Sequence, residues 1–128
     1  MNLLIDTHSF LWFVWLDARL SPGAQALMAD PNNKLYFSPA SYWEVAIKVS
    51  IKKLDLGEPY DVFIPREVAR LNLAVLPIEV RHAAVLVTLP YHHRDPFDRM
   101  LIAQASVEAM PIVSSDPLFD HYPVTRLW

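Results

Sequence analysis

The chain has 128 residues, 53% of them hydrophobic, with 11 lysines and arginines, 14 aspartates and glutamates and no cysteine. That length and composition suit one compact domain and exclude a disordered chain, a disulfide scaffold, a thiolate nucleophile and a cysteine-ligated zinc. A net charge of −3 argues against a protein that grips nucleic acid by bulk positive field.

No apolar run reaches the roughly 18 residues of a membrane span, and no basic, cleavable leader precedes the first apolar stretch, so the protein is expected to be cytoplasmic. The two glycines, Gly23 and Gly57, stand far apart, which leaves neither a phosphate-cradling loop nor a dinucleotide fingerprint. Any metal must be held by oxygen or imidazole. With 14 acids against 5 histidines, a hard cation such as Mg²⁺ or Mn²⁺ is favoured.

In chain order, Asn2 to Ile5 reads as a buried strand ending in Asp6, followed by an aromatic-rich helix from about His8 to Leu16. Ser21-Pro22 starts a helix that runs to about Ala29, an N-cap followed by proline at the first helical position. Leu35 to Phe37 is a second strand, and Ser38-Pro39 opens the helix that carries Trp43, Glu44 and Lys48. A polar connection spans Lys52 to Tyr60, Pro65 opens a short helix to about Leu71, and Leu73 to Leu76 is a third strand.

Glu79 to about Leu89 is helical and stopped by Pro90. Asp95-Pro96 then starts a helix running to Ala109. Pro111 to Ser114 is a fourth strand, Asp116-Pro117 begins a short helical piece, and Val124 to Leu127 is an edge strand. Strands alternating with helices at this spacing predict a doubly wound α/β fold with a parallel sheet and right-handed crossovers, in a single domain over residues 1–128.

The placement of the acids points to chemistry. Asp6 ends the first strand, Asp116 follows the fourth by two residues, and Glu44 and Asp98 lie in the early turns of their helices. In an open parallel sheet ligands bind outside the carboxyl ends of the strands, so all four can reach one edge. Asp98 also shares a helix face with Leu101, Ile102, Ala105 and Ala109, an expensive place for a carboxylate unless something pairs with it.

Each acid has a simpler reading. Asp6, Asp95 and Asp116 suit N-caps, while Glu44 suits a capping box with Ser41 or a pair with Lys48. Asp17, Asp30, Asp55, Asp61, Glu58, Glu67 and Glu108 are placed in loops or on solvated faces. Together, however, four carboxylates at roughly 6 Å in an effective dielectric near 20 repel by about 3 kcal/mol per pair. The sum, on the order of 10–17 kcal/mol, rivals the stability of a small domain. Such a site must take up protons or cations, and a divalent cation there can activate water and stabilise displacement at a phosphate.

The histidines give no comparable pattern. His92 and His93 are adjacent and cannot easily share one metal, and His82 and His121 read as structural or exposed. No Gly-x-Ser-x-Gly elbow supports a serine hydrolase, and no Asp-x-Asp pair supports an aspartate-based phosphatase.

Four segments, in order, resemble the PIN-domain family and, within it, the VapC toxins of type II toxin–antitoxin pairs. They are Leu4-Ile5-Asp6-Thr7-His8 with Leu11-Trp12, Ser38 to Lys48, His93 to Ala105, and Pro111 to Asp116. The resemblance implies a three-layer α/β/α sandwich with a parallel five-stranded sheet, an acidic pocket for Mg²⁺ or Mn²⁺, and RNA as substrate. Matched position by position, Asp6, Glu44, Asp98 and Asp116 fall on the family's acidic quartet, and Ser114 keeps the hydroxyl that precedes the last acid. It also implies a homodimer and a cognate VapB-type antitoxin that covers the site. The helix with Phe10, Trp12, Phe13 and Trp15 is a candidate for that groove or for the dimer contact, or packs in the core.

The reading that follows is a metal-dependent endoribonuclease toxin. Asp6, Glu44, Asp98 and Asp116 are expected to hold the metal and carry catalysis, with Thr7, His8, Arg99 and Ser114 toward the substrate. The alternatives are a non-catalytic PIN-type RNA- or protein-binding module and a metal-dependent DNA nuclease or phosphatase.

Overall fold

The computed structural model describes all residues from Met1 to Trp128. Its centre is β1 (Asn2–Ile5), in which Leu3, Leu4 and Ile5 are all fully buried. An unbroken apolar run is what a strand covered on both faces requires. On one side of it lie β2 (Lys34–Phe37) and β3 (Ala74–Val75), and on the other β4 (Ile112–Val113) and β5 (Arg126–Leu127). The order is β3-β2-β1-β4-β5 and every neighbouring pair is parallel.

Six helices connect the strands: α1 (Thr7–Val14), α2 (Pro22–Ala29), α3 (Pro39–Ser50), α4 (Tyr60–Arg70), α5 (Val80–Leu86) and α6 (Pro96–Glu108). A 3-10 helix over Pro117–His121 joins β4 to β5. Alternation along β1 divides the core between the two faces of the sheet. Leu3 and Ile5 pack with Phe10, Phe37, Val45 and Phe63, while Leu4 packs with Leu101, Ile102, Ile112 and Phe119. This is the three-layer α/β/α arrangement. No helix is long and apolar enough to cross a membrane.

The proline-marked starts fall where the sequence places them. Ser21, Ser38 and Asp95 cap α2, α3 and α6, accepting from the backbone N–H of Ala24, Ala40 and Phe97 respectively. Pro65 does not open a helix, as the sequence suggested, but lies inside α4. Burial of Phe63 and Ile64, together with the Tyr60 hydroxyl donating to the Tyr42 carbonyl at 2.8 Å, fixes the turn ahead of it. This packing outweighs the backbone hydrogen bond that a proline removes.

Helix α5 stops at Leu86 rather than Leu89, because the amides of Val87 and Thr88 bond three residues back and tighten the last turn. Ala109 leaves the apolar stripe of α6: it is an exposed C-cap with a φ of 50°. Two acids expected on solvated faces are held by partners instead. Glu67 is buried and paired with Arg66 and Arg70, and Glu108 takes Arg81 and His82.

Candidate active site

The strand order reverses between β1 and β4, and such a reversal opens a crevice at the carboxyl ends of the two strands. Asp6 leaves β1 at this point, while Ser114 and Asp116 leave β4. The early turns of α3 and α6 carry Glu44 and Asp98 to the same place. The convergence is read from Asp98, whose carboxyl feels the charges of Asp95, Glu44, Asp6 and Asp116 together. Burial first, and those four acids next, push it up to about 8. Burial and charge act on Asp98 in the same direction, and no side chain donates a hydrogen bond to its carboxyl.

Asp6, Asp116 and Glu44, by contrast, are each held by hydrogen-bond donors. Asp6 caps α1, its Oδ1 accepting from the Ser9 amide at 2.8 Å. Burial raises its carboxyl above the usual range, opposed by hydrogen bonds from Ser114 and Ser9 and by the charge of His8. Asp116 caps the 3-10 helix through Oδ1, which accepts from the Leu118 amide at 3.0 Å. Ser114 Oγ accepts from the Asp116 amide at 3.1 Å and so ties the two strand-end acids together.

Glu44 is almost completely buried. Its Oε2 takes Lys48 Nζ at 2.7 Å, and its Oε1 lies 2.6 Å from Thr7 Oγ1, which is also 2.9 Å from Ser41 Oγ. A threonine hydroxyl has one proton, so Thr7 donates it to the carboxylate and the Ser41 hydroxyl supplies the other bond. The Lys48 pair is therefore realised, and a capping box starting at Ser41 is not, since the cap is Ser38. No lysine or arginine pairs with Asp6, Asp98 or Asp116.

His93 joins the site, a role that its adjacency to His92 does not reveal. The phenol of Tyr122 receives the amides of His92 at 3.0 Å and His93 at 2.8 Å, which fills its acceptor capacity. Its own proton must then go to His93 Nδ1, 3.3 Å away. That assigns the remaining ring proton to Nε2, which donates to Asp116 Oδ2 at 2.7 Å. His93 thus orients Asp116, while His92 stacks on His121 with ring centroids 5.1 Å apart. No spacing rule could have found this, because Tyr122 and Asp116 lie far along the chain from His93.

Arg99 is a correction. It is buried, donates to the carbonyls of Pro90 at 2.8 Å and Leu89 at 3.0 Å, and stacks over Tyr91 at 3.8 Å. One residue after Asp98, it points about 100° away around the helix, and its guanidinium is spent on clamping the α5–α6 connection. His8 is exposed and tilted against Trp12 with ring centroids 5.7 Å apart.

The donor set fits a hard divalent cation. It consists of carboxylate oxygens with one imidazole close by, and oxygens of Asp98 and Asp116 lie within 4.8 Å of each other and of a His93 ring nitrogen. A second cluster, Glu79, His82 and Glu108, does not share this character. The Glu79 amide donates to His82 Nδ1 at 2.9 Å, so His82 Nε2 carries the proton and gives it to Glu108 at 2.9 Å. Both ring nitrogens are thereby engaged in holding α5 against α6.

The sequence pattern of the PIN domain matches residues 3–124. The chain belongs to the PIN-domain family. A relative, Ribonuclease VapC16 of Mycobacterium tuberculosis, is 32% identical over 60 residues, which is 47% of this chain and 43% of that protein's length. The alignment thus spans less than half of the relative. Among solved structures, VapBC2 from Rickettsia felis bound to a promoter DNA fragment superimposes with a TM-score of 0.69 at 12% identity, covering 100% of both chains. VapBC-1 from nontypeable Haemophilus influenzae superimposes at 0.63 with 13% identity, covering 98% of this PIN chain and 96% of that one. At these identities the likeness establishes the α/β PIN fold.

Proposed function

We propose that this PIN protein is a metal-dependent endoribonuclease toxin, in which Asp6, Asp98 and Asp116 hold Mg²⁺ or Mn²⁺ and Glu44 completes the pocket. The observation that carries the reading is Asp98: a carboxyl raised to about 8 by burial and by four other acids is a group waiting for a cation. Bound there, a divalent ion would neutralise the acids, activate a water and offset charge on the phosphate in an in-line displacement that leaves a 5′-phosphate and a 3′-hydroxyl.

The chain's own groups do the positioning. Asp6 and Asp116 each commit one oxygen to a helix cap, and the second oxygen of Asp116, held by His93, has a lone pair left to face the pocket. His93 fixes the rotation of Asp116, and Ser114 fixes its backbone against Asp6. Thr7 and Lys48 hold Glu44 in one rotamer, and Lys48 has two further ammonium protons to offer a phosphate oxygen.

RNA is the substrate class supported by the relative named as a ribonuclease. A cognate antitoxin of the VapB type, covering the pocket of a homodimer, is supported by the VapBC complexes that share the fold. The test is cleavage of a structured RNA with Mn²⁺ by wild type, Asp6→Asn and Asp98→Asn, beside calorimetric Mn²⁺ titration. Wild type should cut and bind while both variants lose cutting by orders of magnitude. A variant that cuts as fast as wild type would defeat the assignment, and equal cutting of single-stranded DNA would move the substrate class.

A further inference from the structure

We propose that the groove between α1 and the segment following α3 is a nucleotide subsite, which stacks one base of the RNA strand and holds its phosphate beside the acidic pocket. The inference rests on the ribonuclease reading and adds where the substrate lies. The groove encloses about 350 Å³. Thr7 and Lys48 line one end of it, and these are the two side chains that bond Glu44, so groove and pocket are continuous. Trp12, Trp15, Arg19 and Lys53 line the rest.

Two properties select the occupant. The lining holds three cations and no carboxylate, in a protein whose net charge is −3. Lys48 is committed to Glu44, but Lys53 is exposed and enters no ion pair. The aromatic surface is also available. Trp15 is 38% exposed, and Arg19 lies over the Trp12 ring at 5.0 Å with its side chain 66% exposed. Asp17, holding Arg19 through Oδ1 at 3.1 Å and Oδ2 at 2.7 Å, fixes the guanidinium plane in that stack. Indoles and a fixed guanidinium plane are platforms for nucleobases, and interleaved cations follow a phosphate backbone. An antitoxin peptide would compete for the same apolar surface. A strand that must also present a phosphate to the pocket is the better match for a groove that sets cations beside indoles and reaches Glu44 through Lys48.

The test uses full-length protein carrying Asp98→Asn, so that RNA is not cut, titrated into a fluorescein-labelled oligouridine at several salt concentrations. On this background, adding Lys53→Glu should weaken binding about tenfold and flatten the salt dependence by about 0.7 in log–log slope. Trp15→Leu should weaken binding about tenfold with the slope retained, and should remove part of the RNA-induced quenching of tryptophan fluorescence. Lys34→Glu makes the same charge change on the first residue of β2, at the opposite end of the sheet, and should leave binding intact. With Asp98 restored, Lys53→Glu should raise KM for RNA about tenfold.

Unchanged affinity and slope in both groove variants would overturn the proposal and leave the groove to a peptide. An equal loss in Lys34→Glu would also overturn it, by showing bulk charge alone. If the groove variants lose binding but the wild-type protein never cuts RNA with Mn²⁺, the ribonuclease reading fails and the subsite stands.

Discussion

Replacing Asp98 by asparagine should make the metal-free protein more stable while removing its function. The folded carboxyl sits at about 8 against an ordinary value of 3.8. A raised folded value means that the folded state binds more protons than the unfolded chain between these limits, so stability falls as pH rises through the window and levels off above it. At about pH 7 the folded protein carries Asp98 protonated, whereas the unfolded chain would ionise it. The cost is about 1.4 kcal/mol per pH unit above 3.8, or about 4 kcal/mol.

Asparagine has nearly the same shape and no proton to acquire. Asp98→Asn should therefore gain up to about 4 kcal/mol at about pH 7 and only about 2 kcal/mol at about pH 5. For a domain of this size that corresponds to a rise in melting temperature on the order of 10–15 °C at the higher pH. Thermal unfolding in EDTA at the two pH values measures the difference directly. A variant no more stable than wild type at pH 7, or a gain that does not grow with pH, refutes the argument that crowded charge dominates the pocket. Saturating Mn²⁺ should reverse the order, since only wild type gains the full binding term.

Binding a cation must expel the Asp98 proton, so apparent Mn²⁺ affinity should rise about tenfold per pH unit from about pH 6 to about pH 8 and then level off; a flat calorimetric profile would contradict this. Tyr122→Phe removes the donor that sets the His93 tautomer, and should lower Mn²⁺ affinity about tenfold and shift the His93 ring nitrogen resonances; an unchanged Nε2–H signal with unchanged affinity would show that the phenol has no such role. Arg99→Met removes two charge-assisted hydrogen bonds to carbonyls and the stack on Tyr91, and should cost about 3 kcal/mol in urea unfolding. Arg99→Met should also leave KM for RNA within about twofold, whereas a tenfold rise would return Arg99 to the substrate.

What the sequence made legible was local, and what it hid was tertiary. Ser21-Pro22, Ser38-Pro39 and Asp95-Pro96 announce helix starts because cap and proline act within three residues of chain, and all three fall where expected. The four acids could be assigned to one edge because strand ends and helix starts meet there in any parallel sheet. Pro65 misled because Phe63 and Ile64 anchor the turn ahead of it, and no window of neighbouring residues reveals that burial. Arg99 is adjacent to Asp98 in sequence, yet one helical step turns it onto the carbonyls of Leu89 and Pro90. The role of His93 is hidden for the opposite reason: its partners, Asp116 and Tyr122, are distant in sequence and meet it only through the tertiary fold.

The same placement explains how a chain folds around such a pocket at all. Asp6, Asp95 and Asp116 are N-caps, and Asp98 lies in the first turn of α6, so these acids sit at helix starts where unpaired N–H groups and the helix dipole favour negative charge. Each such placement is worth about 0.3–1 kcal/mol, or at most a few kcal/mol in all. The Lys48 and Thr7 bonds remove most of the burden from Glu44. Repulsion among close carboxylates is on the order of 10 kcal/mol, so helix ends reduce the conflict without ending it. The remainder collects on Asp98, the acid with no relieving partner, and is met by a proton there. A divalent cation could take that proton's place and spread the relief over every acid in the pocket, so the feature that costs the empty fold stability is the one that would select the ion.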